Sequence, residues 1–209
     1  MIQLLRQKDM LLREMQHRMG NSLQILASIL LRKARTVESE EARLHLRDAH
    51  GRIMSIAAIQ KRLQVSENGE RVELAPYLSD LCESLEETLI DGMRSISLEV
   101  NAGQGTVGAQ EAVSIGLIVT ELVINALKHA FGKDDADCRI HVAYETGETG
   151  WRLSVRDNGK GMSAAGSEEK AFGLGTTIVQ ALACQMNARV QVVADAQGYH
   201  VTITQAEFA

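Results

Sequence analysis

The chain has 209 residues, 45% of them hydrophobic, and a formal net charge of -5. That is enough for one large or two modest globular domains, and it excludes an extended disordered chain. Nucleic-acid binding is not indicated, because phosphate-backbone recognition needs clustered Lys and Arg.

No run of about 18 apolar residues and no basic-then-apolar leader is present, so the chain reads as cytoplasmic with no membrane segment. Cys82, Cys138 and Cys184 are far apart and form no C-x-x-C pair. They read as reduced, buried thiols rather than as a zinc site or disulfide framework.

Residues 1 to about 35 contain no proline and one glycine, Gly20, while apolar residues recur at Leu5, Leu12, Met15, Met19, Leu26 and Ile29. This 3-4 spacing predicts a long helix with that stripe as its seam. A polar break at 36–41, with Ser39 and flanking glutamates as start signals, precedes a second stripe at Leu46, Ile53, Ile56 and Leu63. The two helices form an antiparallel hairpin.

On a helical wheel His17 falls opposite the first stripe, sharing a polar face with Glu14, Asn21, Gln24 and Ser28. An imidazole attacks phosphorus through a neutral ring nitrogen, and a carboxylate one turn away, Glu14, can hold the other N–H. Equally, these side chains are the solvated face of a bundle. His45, His50, His129, His141 and His200 are read in that plain way.

The polar segment 66–70 contains Asn68-Gly69 and marks a boundary, giving a hairpin at 1–66 and a second domain at 70–209. Beyond it the pattern predicts a strand at 71–74, Pro76 as a first helical residue, and a helix to about 90. Strands follow near 97–100, 140–144, 153–155, 190–193 and 201–203, with helices near 111–131 and 176–186. The fold class is α+β: a helical hairpin followed by an α/β sandwich, its mixed sheet covered on one face by helices.

In the helix near 111–131, Glu121, Asn125 and Lys128 share one face. The Asn125 amide oxygen suits Mg²⁺, a hard cation, and Lys128 can neutralise phosphate charge. The run Asp157-Asn158-Gly159-Lys160-Gly161-Met162 follows a strand. An aspartate there can accept from the exocyclic amine of adenine, and Gly159 and Gly161 let the backbone turn against the base. Phe172-Gly173-Leu174-Gly175-Thr176 is a glycine-rich loop opening a helix, whose free N–H groups favour phosphate. The small, polar residues 163–170 between them have the composition of a lid.

E-L-x-x-N-A-x-K-H-A, D-N-G-x-G-M and G-L-G-T-x-I-V, in that order, strongly resemble the Bergerat-type ATP-binding domain shared by histidine kinases, gyrase, Hsp90 and MutL. The resemblance covers roughly 70–209. It implies binding of ATP with Mg²⁺, with Asp157 at adenine, Asn125 at the metal, and Gly159, Gly161, Gly173 and Gly175 shaping the pocket. Glu121 would be a base or an outer-sphere group.

The segment from Glu14 to Gln24 resembles the acceptor box of the HWE-related kinases that read E-x-x-H-R-V-K-N-x-L-Q. Gly20 stands in place of the usual lysine, at a cost of about 1 kcal/mol of helix propensity relative to alanine. Arg18 stands where the commonest kinase branch has an acid, so that acid's proton-accepting role does not carry over. The W-x-E element of true HWE kinases is absent near Trp151, which favours the sister branch.

The resemblance implies autophosphorylation of His17 and transfer to a response-regulator receiver domain. It also implies a water-orienting role for Asn21 in dephosphorylating that regulator. A homodimer is expected, with two hairpins pairing as a four-helix bundle over Leu4, Leu11, Leu23 and Leu30. Sixteen residues ahead of His17 are too few for a sensor domain, so input comes from a truncated region or a separate sensor protein. Alternative readings are a phosphotransfer adaptor that never uses ATP, and a serine-kinase anti-sigma factor.

Overall fold

The computed structural model describes residues 2–65, 71–90, 96–132, 135–147, 150–161, 174–195 and 198–205. Helices α1 (Ile2–Thr36) and α2 (Glu40–Val65) form the hairpin. The turn is built from local capping. Ser39 Oγ accepts from Ala42 N at 3.2 Å, its carbonyl accepts from Arg43 N, and Glu40 and Glu41 sit in the first turn of α2. This is the start signal anticipated at Ser39.

The hairpin seam differs from the expected one. Met15, Met19, Leu26 and Ile29 are exposed, whereas Ala27 and Ala34 are buried and Leu23 and Leu30 half-buried. Two apolar ridges run along α1, and the one with small residues allows close approach of α2. The ridge of larger side chains is left outward.

His50 is a second departure. It is not on a solvated face but buried at 5% exposure, and its Nδ1 has no hydrogen-bond partner among the described residues. Burial lowers its pKa from the ordinary value of 6.5, because the charged ring is poorly solvated there. The unfolded chain therefore binds a proton that the folded chain does not, and stability rises with pH across that interval. The contribution is fully present above about pH 6.5 and is lost as pH falls through the lowered value. Urea melts at pH 7.5 and 5.5 should show a loss of stability that is smaller in His50→Leu. An equal loss in both proteins would contradict this.

After residue 70 come β1 (Arg71–Glu73), α3 (Leu74–Leu85) with a π-helical turn at Glu86–Ile90, β2 (Ile96–Ala102) and β3 (Thr106–Gly108). Then follow α4 (Ala109–His129), β4 (Cys138–Thr146), β5 (Trp151–Asp157), α5 (Leu174–Gln185), β6 (Ala188–Asp195) and β7 (Gly198–Gln205). Helix α3 begins at Leu74, so Pro76 is its third residue rather than its first. There the missing N–H is still one of the orphan donors of a helix start. The short β3, not anticipated, pairs antiparallel with β1, matching Val72 to Val107.

The main sheet has the order β2-β4-β5-β7-β6, with β2 and β4 parallel and the other pairs antiparallel. Alternation puts Ile140, Val142, Tyr144, Leu153, Val155, Val201 and Ile203 into the core with Ile115, Ile118 and Val119 of α4. Helix α4 is long and apolar enough to cross a membrane by composition, but most of it is buried in this core. Of the cysteines, Cys82 and Cys138 are buried and Cys184 is exposed, the last against expectation. Burial pushes the Cys82 thiol up to about 12.

Candidate active site

Strand β5 alternates inward at Trp151, Leu153, Val155 and Asp157, so its final inward position is a carboxylate. Asp157 is buried at 4% exposure. Its Oδ1 accepts from Gly159 N at 2.9 Å and Tyr199 N at 3.2 Å. These neutral donors fix the direction of the side chain. Asn158 ties the same turn to the start of β4, accepting from Arg139 N at 2.7 Å and donating to the Asp137 carbonyl at 2.8 Å.

The two glycines answer to the protein's own backbone. A Cβ on Gly159 would run into the Ala130 carbonyl, which accepts from Lys160 N at 2.9 Å. Gly161 has φ +60°, and a Cβ there would meet the Asp195 carbonyl. The Asp157 turn is thereby stitched to the end of α4 on one side and the end of β6 on the other. Among the described residues the close approaches of these glycines are to Ala130 and Asp195.

Helix α4 carries the second set. Glu121 is 1% exposed, and Asn125 is half-buried one turn on. At the start of α5, the missing Cβ of Gly175 would lie 2.8 Å from Glu121 Oε2 and 3.3 Å from both Asn125 side-chain heteroatoms. The Glu121 carboxylate, the Asn125 amide and Gly175 therefore form one cradle. Thr176 beside it is half-buried. The Leu174 side chain, Met162, Gly173 and the segment 163–170, expected to be a lid, lie outside the described residues.

Two residues of α2, neither anticipated, reach this set. Arg52 pairs with Glu121, Nε with Oε1 and Nη2 with Oε2, the latter at 2.9 Å. Lys128 Nζ pairs with Asp48, itself buried. Lys128, expected at phosphate, is thus held by the hairpin in this structure. The available signal was weak: Asp48, Arg52 and Ser55 are polar residues at 4 and 3 spacing, hence on one face of α2.

In α1, His17 lies within the helix, and its side chain is outside the described residues. Glu14 Oε1 accepts from Arg18 at 2.6 Å (Nη2) and 3.2 Å (Nε), so the expected helper carboxylate is paired with the next-turn guanidinium. Asn21 is exposed one turn beyond His17.

Among the described residues no group of three or more His, Cys, Asp and Glu side chains is placed to hold a metal ion. Mg²⁺ is commonly held by one or two protein oxygens plus substrate phosphates. The cradle around Gly175 offers Asn125 as such an oxygen.

An α/β sandwich with a buried aspartate, an acid-amide helix and a glycine cradle packs through α4 against the helical hairpin. Residues 14–89 match the family described as histidine kinase, and residues 110–207 match the histidine kinase-, DNA gyrase B- and HSP90-like ATPases. The chain belongs to the histidine kinases.

It is 32% identical over 180 residues to the sensor histidine kinase PdtaS of Mycolicibacterium smegmatis, covering 84% of this chain and 35% of that protein. It is 24% identical over 200 residues to blue-light-activated histidine kinase 2 of Erythrobacter litoralis, covering 93% of this chain and 56% of that one. The chain thus spans about a third to a little over half of these relatives. The histidine kinase domain of the Erythrobacter litoralis EL346 blue-light-activated histidine kinase has the same fold, with TM-score 0.69 and 21% identity. That match covers 90% of this chain and 94% of that one.

Proposed function

We propose that this chain is the catalytic core of a cytoplasmic protein histidine kinase, which transfers the γ-phosphoryl group of ATP to His17 and then to an aspartate of a response-regulator receiver domain. The observation that carries this reading is the docking of the hairpin bearing His17 directly on the helix that holds Glu121 and Asn125. The hairpin (1–66) and the ATP-binding unit (70–209) are the two working parts.

Asp157, oriented through Oδ1, presents Oδ2 to the exocyclic amine of adenine. Gly159 and Gly161 hold that turn in place, and Gly173, Leu174, Gly175 and Thr176 bring backbone N–H groups to the phosphates. Asn125 holds Mg²⁺, which neutralises phosphate charge when bound. A ring nitrogen of His17 forms the P–N bond as the γ-phosphate's bond to the bridging oxygen breaks and ADP leaves. Adding a purified receiver domain to the labelled chain should move label from the chain to the regulator. Label that stays on the chain with every receiver tried contradicts the second transfer.

Asn21 is assigned to orient water on the regulator's acyl phosphate, which an amide can do without changing protonation state. Asn21→Ala should slow regulator dephosphorylation by more than it slows His17 phosphorylation. Equal rates of dephosphorylation refute the role.

The outward ridge Met15, Met19, Leu26 and Ile29 is an unpartnered apolar stripe along α1. A second copy pairing hairpin to hairpin covers it, so the chain is a homodimer in this reading. Light scattering at micromolar concentration should give twice the monomer mass in wild type and the monomer mass in Met19→Glu. A monomeric wild type contradicts this.

A further inference from the structure

The contact between α2 and α4 is made by charges of alternating sign. Along α2 an acid (Asp48) precedes a base (Arg52); along α4 an acid (Glu121) precedes a base (Lys128); and the pairing runs in opposite directions. Exchanging partners would set like charges together, so the pairing fixes how the hairpin lies on the helix. The two ion pairs do not sit alike, however. Glu121 is the one beneath the phosphate loop, with Oε2 2.8 Å from the missing Cβ of Gly175.

A carboxylate at 1% exposure is costly to hold ionised without a partner, and both Glu121 oxygens are taken by the Arg52 guanidinium. Without Arg52, a triphosphate entering the Gly175 cradle would meet an uncompensated negative charge at close range. With it, the charge is cancelled and the carboxylate is aimed. The bidentate pair also leaves further N–H groups of the five on a guanidinium.

We propose that Arg52 is a positioning residue of the nucleotide site: from the hairpin it neutralises and aims Glu121 under the phosphate loop, so the site accepts a triphosphate only while the hairpin is docked on α4. This rests on the reading of the cradle as an ATP site. The hairpin then serves as a structural part of the nucleotide pocket as well as the carrier of His17. Any signal that shifts α2 acts on nucleotide binding directly.

The test is calorimetric titration of the whole chain with the non-hydrolysable analogue AMP-PNP and Mg²⁺, with thermal melts to confirm folding. Arg52→Gln should weaken binding by about tenfold or more, the order expected for uncovering a unit charge near a phosphate. In a Glu121→Gln background the same change should alter affinity by less than about threefold, because no charge remains to be cancelled. Arg52→Met, which keeps the apolar stem, should behave alike and serves if the Gln variant fails to fold.

A loss that is the same in both backgrounds shows a merely structural contact and overturns the proposal, as does wild-type affinity in Arg52→Gln. A wild type that binds the analogue but never phosphorylates His17 contradicts the kinase reading and leaves this coupling standing. A wild type that does not bind contradicts both.

Discussion

Asp157→Asn is expected to abolish ATP binding while leaving the fold intact. The amide can keep its carbonyl where Oδ1 now accepts from Gly159 N and Tyr199 N, so the turn after β5 retains its anchors. What changes is the other atom: a carboxylate oxygen becomes an NH₂ donor facing the donor of the exocyclic amine. Sites built around a specific hydrogen bond reject a mismatched partner strongly, because buried polar groups are left unpaired. A loss of at least about 100-fold in affinity is expected on that basis. Calorimetric titration with ATP and Mg²⁺ checks it, with a melting curve to show the fold. Wild-type affinity in a folded Asp157→Asn protein would remove the adenine assignment.

His17→Gln is expected to reduce phosphate incorporation to background while nucleotide affinity changes by less than about threefold, because the acceptor and the pocket lie on separate elements. The geometry of the hairpin supports the separation. With α1 ending at Thr36 and α2 starting at Glu40, antiparallel pairing puts His17 level with about residue 59, roughly 10 Å along α2 from Arg52. The acceptor is thus about two turns away from the point where the hairpin grips α4. Filter-binding of labelled phosphate, set beside the titration, checks both halves. Acid-labile phosphate persisting in the variant would place the acceptor at another histidine, of which His45 is exposed on the hairpin.

Much of this site could be read from local sequence, for physical reasons that differ by element. Helix α4 was legible because its apolar positions fix its inner face, which leaves Glu121, Asn125 and Lys128 in a defined relation. The Asp157 turn was legible because strand alternation ends on an acid followed by two glycines. The seam of α1 was not, since two apolar ridges compete and the choice rests on whether Ala27 and Ala34 or the bulkier Met and Leu positions meet α2. His50 was misread as solvated for the same reason, because its burial depends on which face of α2 is covered. The pairs Arg52 with Glu121 and Asp48 with Lys128 join residues 69 and 80 positions apart, and no local pattern encodes such partners. The role of Glu14 was read from its i,i+3 spacing to His17, but Arg18 lies at the i,i+4 position and takes the carboxylate in this structure.

The most direct test of the central claim is to incubate the purified chain with γ-labelled ATP and Mg²⁺, then divide the product between acid and base. Phosphoryl-histidine should give label that is lost in acid, retained in base, and carried by the peptide containing His17. Absence of label, label stable in acid, or label on a peptide without His17 would contradict the account.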